Sequence, residues 1–101
     1  MIFRRPFADV IDRQLVLFAQ EHGRLLEEME EAERVYDRAD RDEAEERYAD
    51  YLDLVETAGE ALASLRDFFA ATLDEDAAET YRAAFNRAAV KRWPRLAIEL
   101  D

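Results

Sequence analysis

The sequence predicts an all-α fold, a long antiparallel helical hairpin with a shorter third helix, from three observations. Half of the 101 residues are hydrophobic, while only two are glycine and two proline, a composition that suits helices and a packed core. Two long stretches carry apolar residues at alternating three- and four-residue steps. The segments between helical patterns are only a few residues long, which forces successive helices to lie side by side in opposite directions. The length corresponds to one domain, 1–101.

The first helix is expected over about 7–38. Pro6 suits a first helical turn because it has no amide hydrogen to leave unpaired, and Asp9 and Asp12 suit the positive end of the helix dipole. The apolar face then reads Ile11, Leu15, Phe18, His22, Leu25, Met29, Ala32, Tyr36. Its mean period of about 3.5 is that of a heptad seam facing another helix. His22 is the only histidine, and with Gly23 it sits where a large apolar residue would be ordinary.

The pattern resets near residues 38–41. Asp40 and Glu43 have the spacing of a capping box, so a second helix is expected over about 41–73. Its seam reads Ala44, Tyr48, Tyr51, Val55, Ala58, Leu62, Leu65, Phe69. A turn centred near residue 40 would set Tyr36 opposite Ala44, Ala32 opposite Tyr48, Met29 opposite Tyr51, His22 opposite Ala58 and Phe18 opposite Leu62. Gly23 and Gly59 fall at nearly one level, giving the hairpin a thin layer halfway along.

Asp76 and Glu79 form a second capping-box candidate, and the third helix is expected over about 76–92. Tyr81 should meet Phe69, and Trp93 should reach the thin layer. Pro94 disfavours helical geometry at Trp93 and ends the helix, leaving residues 95–100 for a short helical tail.

Lengths decide the architecture. The two long helices run to roughly 50 Å at ~1.5 Å per residue, and the third spans about half of that. It can cover only the end from which it starts, where Leu15 to Phe18 and Phe68 to Phe69 are apolar nearly all round. At the other end, Leu26, Met29, Tyr48, Tyr51 and Leu52 offer more apolar surface than one seam uses. These residues are the expected interface of a homodimer whose acidic halves complete a bundle.

The net charge of -11 is segregated. Residues 27–60 hold fifteen acids against four arginines, whereas Thr80 to Arg95 holds five bases and no acid. Such a surface repels nucleic acid and favours charge-steered contact with itself or another protein. No run approaches the ~20 apolar residues of a membrane span, and the start, Met1 to Pro6, lacks the apolar core of a signal peptide, so the expected location is cytoplasmic. No cysteine is present, which removes disulfides and thiolate metal sites.

No glycine-rich phosphate loop, nucleophile elbow, HExxH or paired histidines occur, so the chain is expected to be non-catalytic and to carry no cofactor. Two local chemistries remain. His22 with Glu56 and Glu60 could form a metal or small-ligand site, although a core histidine bonded to Thr57 or Glu56 accounts for the same residue more simply. Arg87, Lys91 and Arg95 line one face of the third helix and could take an acidic partner, including the acidic half of another subunit. The run Glu27 to Glu33 could also imitate a nucleic-acid backbone and antagonise a protein that binds one, but a solvated helix face is its ordinary role. The leading expectation is a small acidic bundle acting through protein contacts, as homodimer or adaptor.

Overall fold

The computed structural model describes residues 5–100, and every regular element in that span is helical, with no strand among the described residues. The start read through Met1 to Arg4 lies outside it. Four α-helices follow in order, α1 (Ala8–Glu21), α2 (Gly23–Asp37), α3 (Arg41–Ala70) and α4 (Glu75–Arg92), and a 3-10 segment, Pro94–Glu99, forms the tail. No helix among the described residues is long and apolar enough to cross a membrane. The molecule measures 54 × 28 × 20 Å.

The continuous helix expected over 7–38 is two helices. His22 leaves helical geometry at φ -112° and ψ 24°, and both His22 and Gly23 are weak helix formers. The break is a kink rather than a loop, because the His22 N–H still donates to the Phe18 carbonyl at 2.9 Å and the His22 carbonyl accepts from the Leu26 N–H at 3.0 Å. The break falls where the packing partner changes. Beyond their shared junction, α1 packs on α4 whereas α2 packs on α3.

The entry to α1 also differs from expectation. Pro6 lies in a preceding turn, and Phe7 takes the N-cap with a left-handed backbone, φ 65° and ψ 6°. That conformation costs a side-chain-bearing residue about 1–2 kcal/mol. The Phe7 ring meets Tyr81 edge-on at 5.5 Å, a contact that offsets part of it.

Both later helix starts carry aspartate caps, though not in the form the spacing suggests. Asp40 precedes α3 in an extended conformation, and its backbone carbonyl accepts from the Glu43 and Ala44 N–H groups, but its side chain makes no capping bond. At α4 the cap is Asp74, two residues before Asp76, with its Oδ1 accepting from the Ala77 N–H at 2.8 Å. Helix α3 ends at Ala70 rather than 73, and the chain closes through tight turns at Thr72 and Leu73.

The buried line along α3 runs Val55, Gly59, Leu62, Arg66, Ala70, while Leu65 and Phe69 of the expected seam are only half-buried. A straight helix has 3.6 residues per turn, so its inward face drifts away from a strict heptad over 30 residues. Tyr81 meets Phe69 at 4.8 Å between ring centroids, as expected. Near the α2/α3 connection, Tyr48 finds the ring of Tyr36 at 5.1 Å, the residue expected opposite Ala44. The two glycines have different roles. Gly23 has nothing within 4 Å of where a Cβ would stand, but a Cβ on Gly59 would overlap the stem of Glu99. The thin layer is therefore filled by the tail, not by Trp93, and the tail buries Leu96 and Leu100 in the core.

Candidate interaction surface

His22 is half-buried at the kink, and its ring lies over Phe18 at 4.5 Å with a 31° tilt. Trp93 approaches the same phenylalanine at 5.5 Å, so Phe18 is held between the kink and the end of α4. Glu56 and Glu60 are exposed on α3. The described residues include no group of three or more His, Asp or Glu side chains placed to hold a metal ion, so His22, Glu56 and Glu60 are not gathered into a ligand set. The expected bond from His22 to Thr57 is not made either; the Thr57 hydroxyl donates to the Asp53 carbonyl at 2.8 Å.

The expected interface residues separate into two groups. Leu26 and Met29 are buried within the chain itself. They belong to the core rather than to a surface, on the helix that packs against α3. Tyr51 and Leu52 are half-buried, and Tyr48 is 44% exposed. Larger apolar exposure occurs elsewhere. Phe68 on α3 is 81% exposed and Ile98 in the tail 76%, with Val10, Val16 and Leu17 open along α1. The enclosure expected around Phe68 and Val16 to Leu17 does not occur.

The basic residues also divide. Arg95 is taken up internally, its guanidinium donating to the Glu33 carboxylate on α2, which binds the tail across the fold. The Tyr51 hydroxyl donates to the same carboxylate at 3.5 Å. Hydrogen bonding to Arg95 holds the Glu33 carboxyl below its usual range, and burial pushes the Tyr51 hydroxyl up. Arg87 and Lys91 remain exposed on the rim of a groove between α1 and α4, a cavity of about 540 Å³. Arg5 and Arg92 complete the basic rim, Asp12 stands on the α1 side, and Ala8, Ile11, Leu15, Ala84 and Ala88 form an apolar floor. The small side chains of three alanines are what leave the groove open.

Two internal features went unnoticed in the sequence. Arg66 is buried on α3, its Nη1 donating to Asn86 Oδ1 on α4 at 2.9 Å and its Nε to Asp67 at 2.9 Å. The hydrogen bond from Arg66 lowers the Asp67 carboxyl, with Arg82 adding to the effect. Tyr81, fully buried, donates its hydroxyl to Gln14 Oε1 at 2.8 Å, and burial raises its ionisation. Arg66 stands four residues past Leu62 and four before Ala70. Counting at 3.6 rather than 3.5 residues per turn would have found it.

No family model matches this chain, and neither a curated protein nor a solved structure matches it significantly.

Proposed function

We propose that this chain is a non-catalytic acidic helical-bundle protein that works in the cytoplasm through protein–protein contacts, foremost with a second copy of itself. The observation that carries this reading is apolar exposure: Phe68 and Ile98 present most of their surface to water, with Val16 and Leu17 open nearby in sequence to the buried Leu15 and Phe18. Large apolar side chains left open on a small chain favour burial against a partner, at ~25 cal/mol per Å² removed from water. In this reading α2 and α3 are the arms of the antiparallel hairpin, α4 is its shorter third helix, and a homodimer completes the bundle.

Native mass spectrometry combined with sedimentation at micromolar concentration tests it. A dimer is the expected species. A strictly monomeric protein over the whole micromolar range would remove the homodimer.

A further inference from the structure

We infer that the α1/α4 groove is the docking site for an acidic, amphipathic helix of another protein. This rests on the reading that the chain works through protein contacts, but not on the homodimer, because Phe68 and Ile98 do not line the groove.

Two helices running the same way form its walls. Phe7, at the entry to α1, lies against Tyr81 and Phe18 lies against Trp93, so α1 and α4 sit side by side in one direction. Between them the cavity of about 540 Å³ is floored by Ala8, Ala84 and Ala88, with Ile11 and Leu15 buried beneath. Alanines on facing walls leave a hollow that the side-chain ridge of a third helix can enter. From Ala84 to Arg92 the α4 wall is about 12 Å long at ~1.5 Å per residue, enough for about two turns of a bound helix. On α1, Val16 stands one turn past Asp12 and is 43% exposed, which extends the apolar wall.

Charge specifies the kind of helix. Arg5, Arg87, Lys91 and Arg92 surround the floor, and Asp12 is the one carboxylate among the lining residues. Among the described residues none of these four cations forms an ion pair, in contrast to Arg34, Arg66, Arg82 and Arg95. Thr80 to Arg95 contains no acid, so no carboxylate of α4 stands within one turn of Arg87 or Lys91. Those two are themselves one turn apart, about 6 Å, the spacing of carboxylates at i and i+4 on a facing helix. The groove is level with the C-terminal half of α3, where Asn86 meets Arg66, whereas most of the fifteen acids in 27–60 lie towards the α2/α3 connection. At ~0.1 M salt the Debye length is about 10 Å, so an approaching acidic helix responds to the rim more than to those acids. A small organic anion fits less well. Small-molecule sites enclose about 70–90% of their ligand, and this groove is open to solvent.

The intact protein is titrated into a fluorescent synthetic helix of about 18 residues, with leucines and alanines on one face and glutamates at i and i+4 along its edge. A control peptide carries lysines in place of the glutamates. At ~0.1 M NaCl, anisotropy should show the glutamate peptide bound at least about tenfold more tightly than the lysine peptide. Arg87→Glu with Lys91→Glu should weaken that binding at least about tenfold, whereas Arg34→Glu with Arg38→Glu, an equal charge change at exposed positions of the α2 end, should leave it within about twofold. Circular dichroism confirms that both variants fold. Equal affinity for the two peptides, or an equal loss in the two variants, overturns the groove as an acidic-helix site. Displacement of the peptide by micromolar octanoate overturns it in favour of a small organic anion, and release of the peptide on dimerisation overturns it in favour of a second copy. A chain that dimerises yet ignores the glutamate peptide overturns this site alone, which keeps its failure apart from that of the homodimer.

Discussion

Glu99 lies directly over Gly59, its Cβ and Cγ standing where any side chain on residue 59 would have to go. The approach brings the tail close enough to α3 for Leu96 and Leu100 to enter the core. Gly59→Ala should therefore lift the tail and destabilise the fold by about 1–3 kcal/mol, the cost of overpacking. Gly23→Ala, with nothing within 4 Å of the new methyl group, should be neutral or stabilise by about 0.4–1 kcal/mol. Urea unfolding of the two variants checks the contrast, and equal effects would show that the Glu99 stem yields to a methyl group on residue 59.

The ion pair between Arg95 and Glu33 ties the same tail to α2. Because both partners are partly exposed, Glu33→Gln should cost no more than about 1 kcal/mol in overall stability. Its larger effect should be local, with faster amide exchange across 94–100 than in the parent protein.

Acid should loosen the fold through two carboxylates. The folded-state values of Glu33 and Asp67 lie below the ordinary 4.5 and 3.8, so their contribution is fully present above those values. It declines as the pH falls past them and is lost once the pH passes the depressed folded-state values. A stability profile from pH 7 downward should show this loss, and the Glu33→Gln variant should show a smaller one. A profile unchanged by Glu33→Gln would mean that Glu33 titrates alike in the folded and unfolded chain.

Asn86 stands between buried Arg66 and solvent. Asn86→Ala leaves a guanidinium N–H without its partner and should cost about 1–3 kcal/mol. Arg66→Met removes the charge together with the need for a partner and should cost less. The reverse order in thermal unfolding would show that Arg66 acts by its bonds rather than through the penalty of leaving them unmade.

The helix caps offer a matched pair. Asp74→Ala removes a real side-chain bond to the Ala77 N–H and should cost about 1 kcal/mol, whereas Asp40→Ala removes none and should cost clearly less. Thermal unfolding of both variants measures the difference.

Helical class, the stop at Trp93 and the Phe69–Tyr81 contact were all legible because each depends on local spacing or on a residue with one strong conformational preference. The kink was not, although His22 and Gly23 pointed to that place. A heptad count treats a helix as having one partner, and here α1 and α2 have different ones. Leu26 and Met29 are core although the short third helix was expected to leave their end of the hairpin uncovered. Of the basic stripe, Arg87 and Lys91 do share a groove, but Arg95 belongs past Pro94 on the tail, where helical spacing no longer applies. The Glu99–Gly59 contact joins residues forty apart and left no periodic trace.

The kink at His22 also divides the chain by the distance over which its contacts must be found. Contacts between α2 and α3 join segments linked by three residues, Arg38 to Asp40, and close with little loop entropy. The Gln14–Tyr81 bond spans 67 positions, so docking α1 on α4 closes a much longer loop and costs more chain entropy. The hydrogen-bonded kink between the two thus marks a boundary in contact range, so that one break in a helix divides closures that are near in sequence from closures that are far.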